Sequence, residues 1–160
     1  MLEIIYKPIG IVHSPFKKPE GTPIQPIAGK DTRGVIEIFP EYREGLKDLE
    51  SFSHLYILFH LHLIRGKKLT LIPFLDTIPH GVFATRSPAR PNPIGLSVVT
   101  LEKITGNNLY IKNIDILDGS PVLDIKPYIS QFDVFNTTKN GWFDSSIHNM
   151  EKQKDDGRFK

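Results

Sequence analysis

Apolar and polar positions alternate along most of this chain, and the alternation is broken at short intervals by proline or glycine. Short alternating runs rich in Ile, Val, Phe, Tyr and Leu favour strands. The pattern predicts strands at Ile4–Val12, Gly34–Ile38, His54–Ile64, Leu69–Ile72, Gly81–Thr85, Gly95–Ile104, Leu109–Leu117 and Val122–Pro127. Over residues 54–63 it places His54, Tyr56, Leu58, His60 and His62 on one face. Leu55, Ile57, Phe59, Leu61 and Leu63 then form the opposite, core-directed face. One short helix is expected at Glu41–Leu49, where Tyr42, Leu46 and Leu49 recur at helical spacing. Gly106-Asn107-Asn108 predicts a hairpin, because Gly and Asn tolerate positive φ. Many short strands and one small helix suit an all-β fold: a single antiparallel β-barrel, which leaves few sheet edges exposed.

The length, 160 residues, fits one domain, and a domain of this size buries roughly 70% of its unfolded surface. We expect the barrel within residues 1–150 and a flexible charged tail over 151–160. Hydrophobic residues are 39% and charged residues 24%, an ordinary globular balance. No cysteine is present, which excludes a disulfide scaffold, a zinc finger and a thiol nucleophile. The N-terminus lacks a secretory pattern, and the apolar-rich stretch Leu55–Ile64 is too short to span a bilayer. The expectation is a cytoplasmic protein with no membrane partner. The net charge of +2 does not by itself indicate nucleic acid, but basic residues bunch at Lys17–Lys18, Arg65–Lys68 and Arg86–Arg90. Neither a G-x-G-x-x-G nor a G-x-x-x-x-G-K-[ST] loop occurs, so a nucleotide-like ligand would have to be held another way.

Four segments carry chemistry. Residues 84–97 (ATRSPARPNPIGLS) place Arg86, Arg90 and Asn92 in a loop stiffened by three prolines. A rigidly presented guanidinium suits a carboxylate or a phosphate. Residues 115–128 (DILDGSPVLDIKPY) hold Asp115 at a strand end, Asp118 in a turn, and Asp124 followed by Lys126 and Tyr128. These carboxylates could bind hydroxyls or an ammonium, or accept a proton; Asp118 could equally only close its turn, and Asp124 only pair with Lys126. His54, His60 and His62 could hold a metal with His13 or His80. No acidic ligand lies at suggestive spacing, so hydrogen-bonded histidines lining a groove suit the pattern better, and no metal is expected. Residues 10–16 and 23–26 describe a strand running into a proline-rich loop.

Together, Gly10–Phe16, Arg33-Gly34 with Glu37, Gly45–His54, Gly81–Leu101 and Asp115–Tyr128 resemble the TsaA-like (TrmO-type) family of tRNA N6-threonylcarbamoyladenosine methyltransferases. The resemblance covers roughly residues 8–129, with Gly81–Arg86 through Pro91–Gly95 its most specific stretch. It implies a homodimeric barrel that uses S-adenosylmethionine and acts beside the anticodon of tRNA. Its cofactor positions fall here on Pro23, Ile24, Gln25, His62, Leu63, Arg86, Leu96, Asn113, Ile114, Asp115 and Ile116. In this picture Arg86 meets the cofactor carboxylate, and Asp115 meets the adenosine part. Asp118 or Asp124 would accept the proton leaving the exocyclic nitrogen. Arg90, Asn92, Lys126 and Tyr128 would meet the anticodon loop, with Tyr56 and Phe132 as further stacking candidates. Two departures touch the substrate side: Leu63 follows His62 where bacterial members often have Gln, and Ile72–Asp76 replaces a basic stretch. Three other functions stay open at this level. They are a non-catalytic RNA-binding barrel, a metal-dependent hydrolase built on the histidines, and a methyltransferase for a small metabolite.

Overall fold

The computed structural model describes residues 2–23, 30–145, 154–156 and 159. Strands follow in the order β1 (Gly10–His13), β2 (Arg33–Ile38), β3 (His54–His60), β4 (Thr70–Leu71), β5 (His80–Gly81), β6 (Ile94–Thr105), β7 (Asn108–Lys112) and β8 (Pro121–Pro127). A four-residue helix, α1 (Ser130–Asp133), comes after them. Six strands close into an antiparallel barrel in the order β1-β2-β7-β6-β3-β8, and β4 with β5 forms a separate small sheet. The expected all-β barrel is therefore present.

Alternation builds the barrel core. On β3, Leu55, Ile57 and Phe59 point inward and are buried, and Val12, Ile36, Val99, Ile111 and Val122 meet them from the other strands. Burying each such side chain contributes about 1.5–3 kcal/mol. The β6–β7 hairpin turns through Gly106 and Asn107, with Gly106 at positive φ, and Thr105 pairs Asn108.

Several predicted elements end early, for identifiable reasons. Of Ile4–Val12, only the part from Gly10 is strand. Of His54–Ile64, the strand stops at His60, and Leu61 to Ile64 form a tight turn closed by Ile64 N–H to Leu61 O at 3.2 Å. Asn113, at φ 63°, ends β7 before the predicted Leu117, and Ile114 and Ile116 then plug the core as irregular chain. The predicted helix Glu41–Leu49 is instead two 3₁₀ turns, Pro40–Leu46 and Leu49–Ser51, split at Asp48 with φ 65°. Gly81–Thr85 likewise leaves its strand at Gly81 for a 3₁₀ turn over Val82–Ala84. In the stretch 151–160, where no apolar anchor was expected, Phe159 is buried with Leu71, Val82 and Ala89.

Gly95 is required where β6 crosses β3. A Cβ there would run into the ring of Phe59, which lies across the strand at its paired position. Overpacking of this kind costs about 1–3 kcal/mol. Gly95→Ala is expected to lower unfolding stability by that amount in urea titration, with the slope m unchanged.

Candidate functional site

At the end of the barrel where β3 leaves and β6 and β8 begin, a cleft of about 390 Å³ opens. That lies in the roughly 300–1,000 Å³ range of small-molecule sites. Four distant stretches of chain supply its floor. Phe59 and His62 come from the end of β3, Ser97 from the start of β6, Asp115 from the chain after β7, and Ser120 from the approach to β8. Antiparallel pairing brings them to one rim: β6 pairs β3 from Ile94↔His60, and β3 pairs β8 out to Phe59↔Val122.

Ser97 occupies an inward position on β6, one step before Val99, and is buried. Its Oγ donates to Asp115 Oδ1 at 2.5 Å. Burial pushes the Asp115 carboxyl up to about 6, against the opposing pull of the Ser97 hydroxyl, its own backbone N–H and the positive Arg86. The ring of His62 shares a 3.3 Å hydrogen bond with Ser120 Oγ. Burial first, and the neighbouring His60 second, lower its pKa, so it is neutral at pH 7. Arg86 stands exposed on the rim, where its charge reaches Asp115.

The proline-stiffened loop is held from within. Arg90 Nη1 donates to the backbone oxygens of Thr85 at 2.9 Å, Ser87 at 3.2 Å and Val82 at 3.4 Å. Arg90 borders the cleft, but this nitrogen already clasps the loop that presents Arg86.

The structure thus brings Pro23, His62, Leu63, Arg86, Leu96, Asp115 and Arg90 to one cleft. Ile24 and Gln25 lie outside the described residues. Ile114 and Ile116 do not face the cleft; they are fully buried core residues. Asn113 is also elsewhere, donating through Nδ2 to Thr100 Oγ1 and accepting from Asp31 N–H. Asn92 is exposed and off the lining.

Neither Asp118 nor Asp124 borders the cleft of this chain. Asp118 closes its turn: it accepts from Ser14 N–H at 2.9 Å and pairs Lys17 at 2.9 Å, contacts that hold its pKa low. Asp124 pairs Lys126 at 2.8 Å on the outside of β8. Tyr128 sits at the far end of that strand, packed beside Tyr56 and His54. At about 3.3 Å per residue, Ser120 and Tyr128 are roughly 25 Å apart. A polar cluster at one mouth and an aromatic cluster at the other are therefore separate features.

The histidines disperse. His54 bonds Ser53 and Thr100, His13 pairs Glu37, and His80 pairs Asp76. Among the described residues, no group of three or more His, Asp or Glu is placed to hold a metal ion. None of the described helices is long and apolar enough to cross a membrane.

Sequence reasoning missed one whole wall. Phe74, Trp142, Phe143, Asp155 and Phe159 line the cleft from outside the barrel. Asp155 is fixed there by backbone pairing, its N–H to Thr22 O at 2.9 Å and its O accepting Gly21 N–H at 2.8 Å. The available signal was Gly141-Trp142-Phe143, an aromatic pair in an otherwise polar stretch that holds the chain's single tryptophan.

A buried carboxylate poised to ionise has a thermodynamic cost. The folded state raises the Asp115 pKa above its unfolded value near 3.8. The penalty is therefore absent below about pH 4, grows as pH rises to 6, and is complete above that, at no more than about 3 kcal/mol. Asp115→Asn should stabilise the protein by about 1–3 kcal/mol at pH 8 and leave it unchanged near pH 4. Denaturant melts at the two pH values check this.

Comparison with known proteins fits this geometry. A protein of Pyrococcus abyssi called a probable S-adenosyl-L-methionine-binding protein is 54% identical over 158 residues, covering 99% of this chain and 86% of that one. The mouse tRNA (adenine(37)-N6)-methyltransferase is 42% identical over 137 residues, 81% of this chain but 32% of its own length. The crystal structure of TrmO from Pseudomonas aeruginosa superposes with a TM-score of 0.74 at 38% identity, covering 88% of this chain and 63% of that one. The profile of the tRNA-methyltransferase O N-terminal domain matches residues 11–134, which hold the barrel and the floor of the cleft, and the chain belongs to that family.

Proposed function

We propose that this protein transfers a methyl group from S-adenosylmethionine to the N6 nitrogen of (threonylcarbamoyl)adenosine beside the anticodon of tRNA, and that it works as a homodimer. The observation that carries the reading is the convergence of Arg86, Asp115, His62 and Leu96 on one cleft from separate parts of a family barrel. The relatives' names supply the reaction class, and the cleft supplies groups that suit it.

The residues fit such a donor. Arg86 offers a guanidinium on the rim for a carboxylate. Asp115 and Ser97 offer a deep polar pair for hydroxyls or an ammonium. Phe59, Leu61, Leu96 and Pro88 offer apolar surface for a purine. When bound, the donor supplies an electrophilic methyl on a cationic sulfur. The chain's part is to align the acceptor nitrogen in line with that bond and to keep water out.

Methylation releases a proton from the acceptor nitrogen. Within the cleft of this chain, Asp115 is the lining carboxylate that can take it up near neutral pH, since its pKa of about 6 keeps it ionised yet basic. Asp118 and Asp124 could act only from a second subunit. The outer face of β3 and β6 gives such a subunit a seat: Leu58, Ile94, Leu96 and Val98 point outward, and Leu96 is 58% exposed beside the cleft.

For the RNA backbone, a groove of about 450 Å³ runs on from the cleft and shares Leu63, Ile64, Asp155 and Phe159 with it. Lys18 and Arg65, from two of the three basic clusters, both line it. Phosphate contacts there would make RNA affinity fall with salt.

Methyl-labelled S-adenosylmethionine incubated with the protein and tRNA is expected to place label on an N6-methylated adenosine beside the anticodon. Label in a small metabolite, or in no nucleoside, would refute the reading. Arg86→Ala should weaken cofactor binding by about 10- to 100-fold by calorimetry, the effect of one lost charged contact.

A further inference from the structure

Beyond the cofactor floor lies a wall whose Trp142 and Phe143 follow residue 134, where the family profile ends. Its centre is a stack of three rings. Trp142 lies on His80 with centroids 4.8 Å apart and planes 16° apart, and Phe143 stacks on Trp142 at 4.0 Å and 24°. The stack is tied to the loop that carries Arg86: Trp142 Nε1 donates to Ala84 O at 2.8 Å. His80 is held in turn by Asp76 at 2.9 Å. Trp142 and Phe143 both border the cleft that Asp115 and Ser97 also line. Phe83, next to the anchoring carbonyl, adds an aromatic ring that is 77% exposed.

We propose that this ring stack is the surface on which the acceptor nucleobase packs, making Trp142 and Phe143 positioning residues for the RNA. The inference rests on the methyl-transfer reading and deepens it on the acceptor side. Two observations favour the acceptor base over the cofactor. The residues suited to the cofactor all lie within the family domain, whereas Trp142 and Phe143 come after its end and reach the cleft from there. The cleft also shares Asp155 and Phe159 with the groove carrying Lys18 and Arg65, where a backbone attached to that base could run. A splayed base stacks on aromatic surface without needing a hydrogen-bond code, which suits a single-stranded loop.

Trp142 is the chain's single tryptophan, so its emission reports this surface directly. An anticodon stem-loop oligoribonucleotide titrated into the wild-type protein should quench that emission saturably, and S-adenosylmethionine already bound should leave the quench in place. In methylation kinetics, Trp142→Ala should raise KM for tRNA about tenfold with kcat changed much less, and Trp142→Phe should restore most of it. Unaltered emission at saturating RNA would overturn the proposal. So would an unchanged KM in Trp142→Ala, or a loss of cofactor affinity that matches the loss of turnover. A wild-type protein that transfers no methyl to any tRNA would sink the function reading instead, while the RNA titration would still decide whether the stack meets a base.

Discussion

The hydrogen bond from Ser97 to Asp115 is the contact on which the site depends. It lies inside the mouth of a barrel whose other inward positions are branched aliphatics and Phe59. A carboxylate enclosed by that wall can stay only if a donor faces it. Ser97 is that donor, placed by the alternation of β6, and Asp115 arrives because Asn113 bends the chain out of β7. Burial raises the pKa of Asp115 against the pull of Ser97, and a perturbed carboxyl in a cleft is a common mark of functional sites.

Around that pair the fold divides labour. Rigid strands carry the polar floor, and an irregular loop carries the cation. The loop keeps its shape because Arg90 clasps three of its carbonyls, so Arg86 can stand on the rim without a regular element beneath it. A site positioned by strands and stiffened loops loses little entropy when it orders a ligand. The third part, the aromatic wall, combines Phe74 and His80 with chain that follows the barrel strands, and that later chain is joined on by Trp142, Phe159 and the pairing of Thr22 with Asp155.

Much of the fold was legible in the sequence, because strand alternation is local. The inward set Leu55, Ile57 and Phe59 and the turn at Gly106 follow directly from side-chain period and glycine chemistry. The ends of elements were harder. His62 leaves the face shared by His54 and His60 because the chain turns after Leu61, closed by the bond from Ile64 N–H to Leu61 O, and the alternation of the sequence does not announce that turn. The same is true of Asp118 and Asp124: both sit in a carboxylate-rich segment, and the turn and the outward face of β8 direct them away from the cleft. Asp115 was recognisable as a site residue through family resemblance, whereas its burial beside Ser97 in the cleft emerges only from where the core forces it. The ring stack was invisible, since Trp142 meets His80 only through long-range packing.

The central claim is that an ionised Asp115 in this cleft holds a cationic nucleoside donor. Calorimetric titration of the wild-type protein with S-adenosylmethionine at about pH 7.5 and about pH 5 tests it most directly. With a pKa of about 6 in the free protein, the carboxylate is ionised in only about a tenth of molecules at the lower pH. The account predicts saturable binding at the higher pH and about tenfold weaker binding at the lower. Equal affinity at both, or no binding heat at either, would contradict it.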